Sequence, residues 1–184
     1  RIGMVFQHFN LVHRSKVITN VLSGRLGYVN PALSIVNRFP KSAVNQAHEP
    51  LARVGLEEKA YTRADDLSGG QQQRVGVARA LAASPKLMLM DEPFGALDEF
   101  TRERLNLELL RIQSDLNATI LFVTHNIQEA VFLADRVFVM TPRPGRLAAT
   151  VDVPLPRPRA IEMTKSPEYN DLVFNIRDTL GGFI

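Results

Sequence analysis

The apolar positions of this chain fall into two rhythms. Ile2 to Phe6 (IGMVF) is a short continuous apolar run, the mark of a buried strand. Between Arg14 and Leu26 the apolar positions Val17, Val21, Leu22 and Leu26 return at helical spacing. Val44, Ala47, Leu51 and Val54 mark a second helix over residues 43–54, with Pro50 as an interruption and Gly55 as its stop. Asn30 to Pro40 contains two prolines and breaks any regular element. Val75, Ala78, Leu81 and Ala82 form one stripe of a helix over residues 70–82.

From Pro85 the rhythm changes. Leu87 to Met90 (LMLM) reads as a strand buried on both faces, and Thr119 to Val123 (TILFV) as a second all-apolar strand. Between them Leu105, Leu109, Ile112 and Leu116 predict a long helix over residues 99–116. Asn126 to Leu133 reads as a helix opened by a capping box from Asn126 to Glu129. Val137 to Met140 is a third strand and Leu147 to Val151 a fourth. Strand, helix, strand, helix, strand describes a parallel sheet with crossover helices. The nearly all-helical residues 10–82 interrupt that order, so the expected architecture is an α/β core with an inserted helical subdomain.

The tail differs again. Six of the eleven prolines lie between Pro142 and Pro167, and Pro154, Pro156 and Pro158 alternate with Leu155 and Arg157. This composition predicts an extended connector. It leads to a last helix with Ser166 as N-cap, Pro167 in the first turn, an apolar stripe of Leu172, Ile176 and Leu180, and Gly181 as its end.

Composition narrows the chemistry. A globular chain of 184 residues, 45% hydrophobic, buries enough surface to fold without a staple. It has no cysteine, which excludes disulfides, thiolate metal sites and cysteine nucleophiles. No apolar run approaches the roughly 18 residues of a membrane span. The chain opens on Arg1 and an apolar strand, so it reads as starting within a domain. Residues 1–63 hold nine basic and three acidic side chains, against thirteen and sixteen in the rest. The basic residues are spaced singly and lack aromatic interleaving, which argues against nucleic acid and for a solvated or partner-facing surface.

Three sequence features carry candidate chemistry. Asp91 and Glu92 close the strand LMLM, where ligands bind in open parallel sheets. One carboxylate there can hold Mg²⁺ through water and the next can orient or deprotonate a water aimed at a phosphoryl group. The same pair also fits a capping or solvent-facing acidic turn. Ser68-Gly69-Gly70-Gln71 precedes a helix, and glycine N–H groups at a positive helix end suit a phosphate. A glycine turn with a serine cap fits it equally. His125, the one histidine at a strand's carboxyl end, suits a γ-phosphate or an attacking water, or a structural role. Gln7 ends the first strand and offers a metal or water contact. His8, His13 and His48 show no ligand spacing.

Together these pieces resemble the nucleotide-binding subunit of an ATP-binding cassette transporter. LSGGQQQRVGVARAL at 67–81 resembles the family signature and its helix. LMLMDEPFGALD at 87–98 resembles Walker B and the D-loop, VFQ at 5–7 the Q-loop, and Ile120 to Asn126 the switch histidine. The order and spacing are those of the family across essentially the whole chain. The resemblance implies a P-loop NTPase-like, mostly parallel sheet with an inserted helical subdomain. Its parts would be 1–7 (core strand end and Q-loop), 8–82 (helical subdomain with signature), 83–151 (α/β core) and 152–184 (proline-rich connector and last helix).

The resemblance also implies roles. Glu92 would be the base and His125 would contact the γ-phosphate and attacking water. Asp91 and Gln7 would serve Mg²⁺, and Ser68, Gly69, Gly70 and Gln71 would cradle the ATP held by the opposite subunit. Asp98 would cross the dimer interface. The implied partners are permease transmembrane subunits, received on the helical segment 8–60, a second nucleotide-binding subunit, and a periplasmic or extracellular solute-binding protein. The implied location is the cytoplasmic side of the cell membrane. Residues 7–28 and 51–70 resemble phosphonate importers. Residues 91–112 and 124–147, with the VDVPLPRPR tail, resemble nitrate, sulfonate and taurine importers.

The 184 residues contain no G-x-x-x-x-G-K-[ST]. In the family that loop, with the N-terminal strands, precedes the Q-loop by some tens of residues, a position ahead of Arg1 here. The expectation is an ATPase subunit whose present chain is inactive alone, with a sheet edge left unpaired. The alternative is a non-catalytic dimerisation or regulatory module without phosphate binding. A soluble cassette of DNA repair or translation is disfavoured, because nothing in the chain suggests coiled-coil insertions or paired cassettes.

Overall fold

A computed structural model describes residues 2–7, 10–28, 39–116 and 118–182. The chain divides into two compact units between Val123 and Thr124. Most of the proline-broken stretch expected at Asn30 to Pro40 lies outside the described residues.

The first unit is built on three parallel strands in the order β1 (Ile2–Val5), β2 (Leu87–Asp91) and β3 (Thr119–Val123). Val5 pairs with Met90, and Asp91 with Val123. Val5, Met88 and Met90 point to the face covered by helix, and are buried. Ile2 and Met4 on β1, and Leu121 and Val123 on β3, remain exposed, with Leu87 and Leu89 half-buried. The double-sided burial expected for LMLM is therefore one-sided among the described residues. The helix that packs on β1 lies on one face only, and period-two alternation sends every second side chain to the other.

Helices α1 (Val17–Ser23), α2 (Lys41–Arg53) and α3 (Gly69–Leu81) pack on one another between β1 and β2 in sequence. The first is shorter than its apolar spacing suggests. Lys16 is drawn into an antiparallel bridge with Arg63, so helix begins only at Val17. Pro50 does not interrupt α2: it lies buried in the last turn and a half. Gly55 ends that segment at φ +66, and Leu56 N–H returns to the Leu51 carbonyl at 2.8 Å. Helix α4 (Glu99–Leu116) has the bounds its spacing predicts and buries Leu105, Leu109 and Ile112.

The second unit holds α5 (Ile127–Leu133), an antiparallel pair β4 (Arg136–Met140) and β5 (Leu147–Asp152), and α6 (Pro167–Gly181). The third strand of the expected parallel sheet is thus β4 of a separate two-stranded sheet. A short return through Thr141–Arg146 closes β4 onto β5 at small entropic cost. The capping box expected at Asn126 is half formed. Asn126 Oδ1 accepts from Glu129 N–H at 3.1 Å, but Glu129 Oε2 accepts from the Thr124 hydroxyl at 2.6 Å.

The last helix begins as expected, with Ser166 Oγ accepting from Tyr169 N–H and Pro167 in the first turn. Its buried stripe is Tyr169, Val173 and Ile176, not Leu172, Ile176 and Leu180. Tyr169 is the reason: its hydroxyl donates to the Gln128 carbonyl at 2.8 Å and turns that edge of the helix inward. The proline-rich connector is anchored. Arg157 and Arg159 donate to the carbonyls of Leu133, Val131 and Phe132, which the last turn of α5 leaves unused.

Candidate functional site

Parallel strands end on one edge, so Gln7 after β1 and Asp91-Glu92 at the end of β2 emerge side by side. Gln7 Nε2 donates to Glu92 Oε2 at 3.4 Å. Glu92 itself sits at φ +42, in the left-handed region that a non-glycine residue enters at a cost of about 1 kcal/mol or more. Its N–H donates to the Val123 carbonyl at 2.8 Å, and its carbonyl accepts from Gly95 N–H at 3.2 Å. A side chain on Gly95 would meet the Glu92 carboxylate at 3.4 Å and the Gln7 amide at 3.7 Å. The turn thus presents a half-buried Glu92 beside an exposed Asp91, with Gly95 leaving the space around the carboxylate free.

The signature turn is built as an N-cap. Ser68 Oγ accepts from Gln71 N–H at 3.4 Å and Gln71 Oε1 accepts from Ser68 N–H at 3.0 Å, a reciprocal capping box. The side chains of Ser68 and Gln71 are therefore engaged with the helix's own backbone. The N–H groups of Gly69 and Gly70, the first two of α3, are not used by the box and stand at the positive helix end. A Cβ on Gly70 would lie 2.8 Å from Thr101 Cγ2, a distance real side chains do not reach, so this turn rests directly on the start of α4.

Asp98 caps that start. Its Oδ1 accepts from Thr101 N–H at 2.9 Å and its carbonyl from Arg102 N–H at 2.9 Å. The hydrogen bonds from Thr101 hold the Asp98 carboxyl below the usual range. Gln7 and Glu92 are thus brought together, and the Ser68–Gln71 turn meets the Asp98 turn through Gly70 and Thr101. His125 belongs to the second unit, where it is exposed one residue before the Asn126 cap.

Gly95 and Thr101 carry no role in a reading of motifs alone. The signal for Thr101 was present as Asp98 three residues before it at a helix start. For Gly95 the only signal was a small residue three positions after Glu92.

The donor set suits Mg²⁺ in one respect. Mg²⁺ is commonly held by one or two carboxylates, with phosphate and water completing its shell. Asp91 offers one such exposed carboxylate.

Comparison with known proteins accords with this geometry. The family described as ABC transporter matches residues 1–95. The chain is 46% identical over 140 residues to the phosphonates import ATP-binding protein PhnC 3 of Halalkalibacterium halodurans, covering 76% of this chain and 54% of that one. It is 44% identical over 147 residues to PhnC 1 of a Ruegeria species, covering 80% and 56%. The chain therefore spans about half the length of the curated relatives it matches. Among solved structures, CbiO1 of Clostridium perfringens, part of the ABC transporter complex CbiONQ, superposes with a TM-score of 0.69 at 29% identity, covering 82% of this chain and 57% of that one. The dimeric bacterial cassette MJ0796 superposes with a TM-score of 0.66 at 32% identity, covering 83% and 63%. On the profile match over half its length and on the motifs at its strand ends, this chain belongs to the ABC transporter family.

Proposed function

We propose that the chain is part of the ATP-hydrolysing subunit of a bacterial importer for a small anion, of the phosphonate type. The observation that carries this reading is the Gln7–Glu92 hydrogen bond at the carboxyl edge of a parallel sheet, with Glu92 held in a strained turn. ATP with Mg²⁺ supplies the phosphoryl group to be transferred. Glu92 accepts a proton from, or polarises, the attacking water, and Gln7 fixes its carboxylate. Asp91 would hold Mg²⁺ through its water shell, and Gln7 would sense the same metal. The Gly69 and Gly70 N–H groups face the γ-phosphate of ATP held by a second subunit, with Ser68 and Gln71 keeping that turn in shape. Asp98 orders the same face, and His125 serves the γ-phosphate and the attacking water.

The phosphonate relatives support the small-anion class. The second half's likeness to nitrate, sulfonate and taurine importers keeps those anions in the same class. In this reading the subunit sits on the cytoplasmic face of the membrane through permease subunits, pairs with a second cassette, and works with a solute-binding protein.

The chain alone binds ATP weakly, because its 184 residues hold no glycine-rich lysine loop. Calorimetric titration of the chain with MgATP is expected to give no micromolar affinity. Phosphate release is expected when a loop-bearing N-terminal cassette segment is joined ahead of these residues in one polypeptide, and is expected to be lost there with Glu92→Gln. Micromolar affinity in the first titration overturns the weak-binding claim. Phosphate release that appears only when this chain is paired with a loop-bearing cassette, and that stays independent of Glu92 in the joined polypeptide, instead favours a second reading, a non-catalytic module that completes a partner's site with its Ser68–Gln71 face.

A further inference from the structure

The second unit carries a groove that none of the residues assigned to nucleotide chemistry lines. It has a volume of 690 Å³ and runs between the strap Pro154–Pro156 and the outer face of α6. Leu155, Met163 and Leu172 give it an apolar floor, and Glu168 and Asp171 stand at its rim. This is the volume of an ordinary ligand cleft, but its shape follows a helix. From Glu168 to Asn175 it extends about 10 Å at 1.5 Å per residue, the reach of three or four residues of extended chain.

Charge selects the occupant. Glu168 and Asp171 lie three apart on one helix face, where like charges repel by a few tenths of a kcal/mol. Elsewhere in this unit Asp135 holds Arg157 and Asp152 holds Arg136. Glu168 and Asp171 have no ion pair among the described residues, and no basic side chain lines the groove. Glu168 also lies in the first turn of α6, which favours its negative charge. Two exposed carboxylates above an aliphatic floor complement a chain that alternates aliphatic and basic residues. Because the protein carries a net charge of +3, a basic segment is not drawn to it in general, and any attraction must be local.

We propose that this groove docks a basic, amphipathic segment of a partner protein. An aliphatic side chain of that segment enters between Leu155 and Leu172, and its arginine or lysine side chains meet Glu168 and Asp171. The proposal is independent of the ATPase reading.

The test is fluorescence anisotropy of a fluorescein-labelled eight-residue peptide alternating leucine and arginine, titrated with the full chain. Saturable binding is expected, weakened at least tenfold by Glu168→Gln with Asp171→Asn, and by Leu155→Asp. Asp115→Asn, outside the groove, is expected to leave it unchanged. The near-isosteric amide pair keeps the helix, which circular dichroism checks, so lost binding is not lost folding. The proposal is overturned by no binding at millimolar chain, or by equal affinity in the amide variant. Equal affinity for a peptide with alanine in place of leucine overturns it as charge alone. Displacement by spermidine at the peptide's own concentration overturns it in favour of a small-cation site.

Discussion

Gln7 and Glu92, 85 positions apart in sequence, are joined by a 3.4 Å hydrogen bond from amide nitrogen to carboxylate oxygen. The bond exists because β1 and β2 are parallel neighbours in register, Val5 beside Met90, so both residues leave the sheet at the same edge. In a transporter whose subunit carries a glycine-rich lysine loop joined ahead of these residues, Glu92→Gln is expected to lower phosphate release by about 10²–10⁴-fold, the usual scale for a lost general base. Gln7→Ala is expected to lower it by about tenfold. If Gln7 acts by holding Glu92, it adds little once Glu92 is already Gln. Additive losses in the double variant would separate the two residues.

Gly70 and Thr101 join the signature turn to the turn after Walker B. A methyl on Gly70 would lie 2.8 Å from Thr101 Cγ2, so Gly70→Ala overpacks the contact and is expected to cost about 1–3 kcal/mol. Thr101→Ser removes that methyl group and is expected to restore most of the loss, since alanine is otherwise the better helix residue. Urea denaturation of the two single variants and the double variant gives the coupling. Independent effects would mean that the helix start, and not Thr101, demands the glycine.

How much of this was legible in the sequence depends on the range of the interaction. Helix α4 is decided by local periodicity, and its bounds follow from Leu105, Leu109, Ile112 and Leu116. The caps of Ser68 and Ser166 follow from local chemistry in the same way. The pairing of β4 with β5 is a choice between partners that period alone does not make, so an apolar strand was assigned to the wrong sheet. The α6 stripe is displaced because Tyr169 is buried with its hydroxyl on the Gln128 carbonyl, a contact across 41 positions that helical spacing does not show. At the candidate site the motif residues were legible by type and order. The strained φ of Glu92, and the space that Gly95 and Thr101 control, arise only when distant turns meet.

Arg159 ties the proline-rich strap to α5. Its guanidinium is buried, donates to the Val131 and Phe132 carbonyls at 3.2 and 2.8 Å, and lies 3.8 Å from Asp135. Burial lowers its pKa from the usual arginine value. Arg159→Met keeps the bulk but leaves two helix-end carbonyls without a donor. It is expected to cost about 2–4 kcal/mol by urea denaturation, with Arg159→Lys recovering part of this through a single donor. A neutral Arg159→Met would show that the strap is held by its prolines and not by the guanidinium.

Tyr169 gives the fold a pH dependence at its alkaline limit. Burial pushes its phenol up to about 12. In the unfolded chain the group ionises near pH 10, so between about pH 10 and 12 the unfolded state binds fewer protons than the folded one. Folding stability from this group is therefore constant below about pH 10 and falls as the pH rises toward 12. The fall amounts to about 2.7 kcal/mol for a shift of about two units. Tyr169→Phe removes the titration and also the hydrogen bond to the Gln128 carbonyl, worth about 1 kcal/mol. The native protein is thus expected to be the more stable of the two at pH 8, and its advantage to shrink and then reverse above about pH 10.5. Denaturation curves of both proteins from pH 8 to pH 11.5 test this, and a constant difference across that range would mean that the phenol is not buried in the folded state.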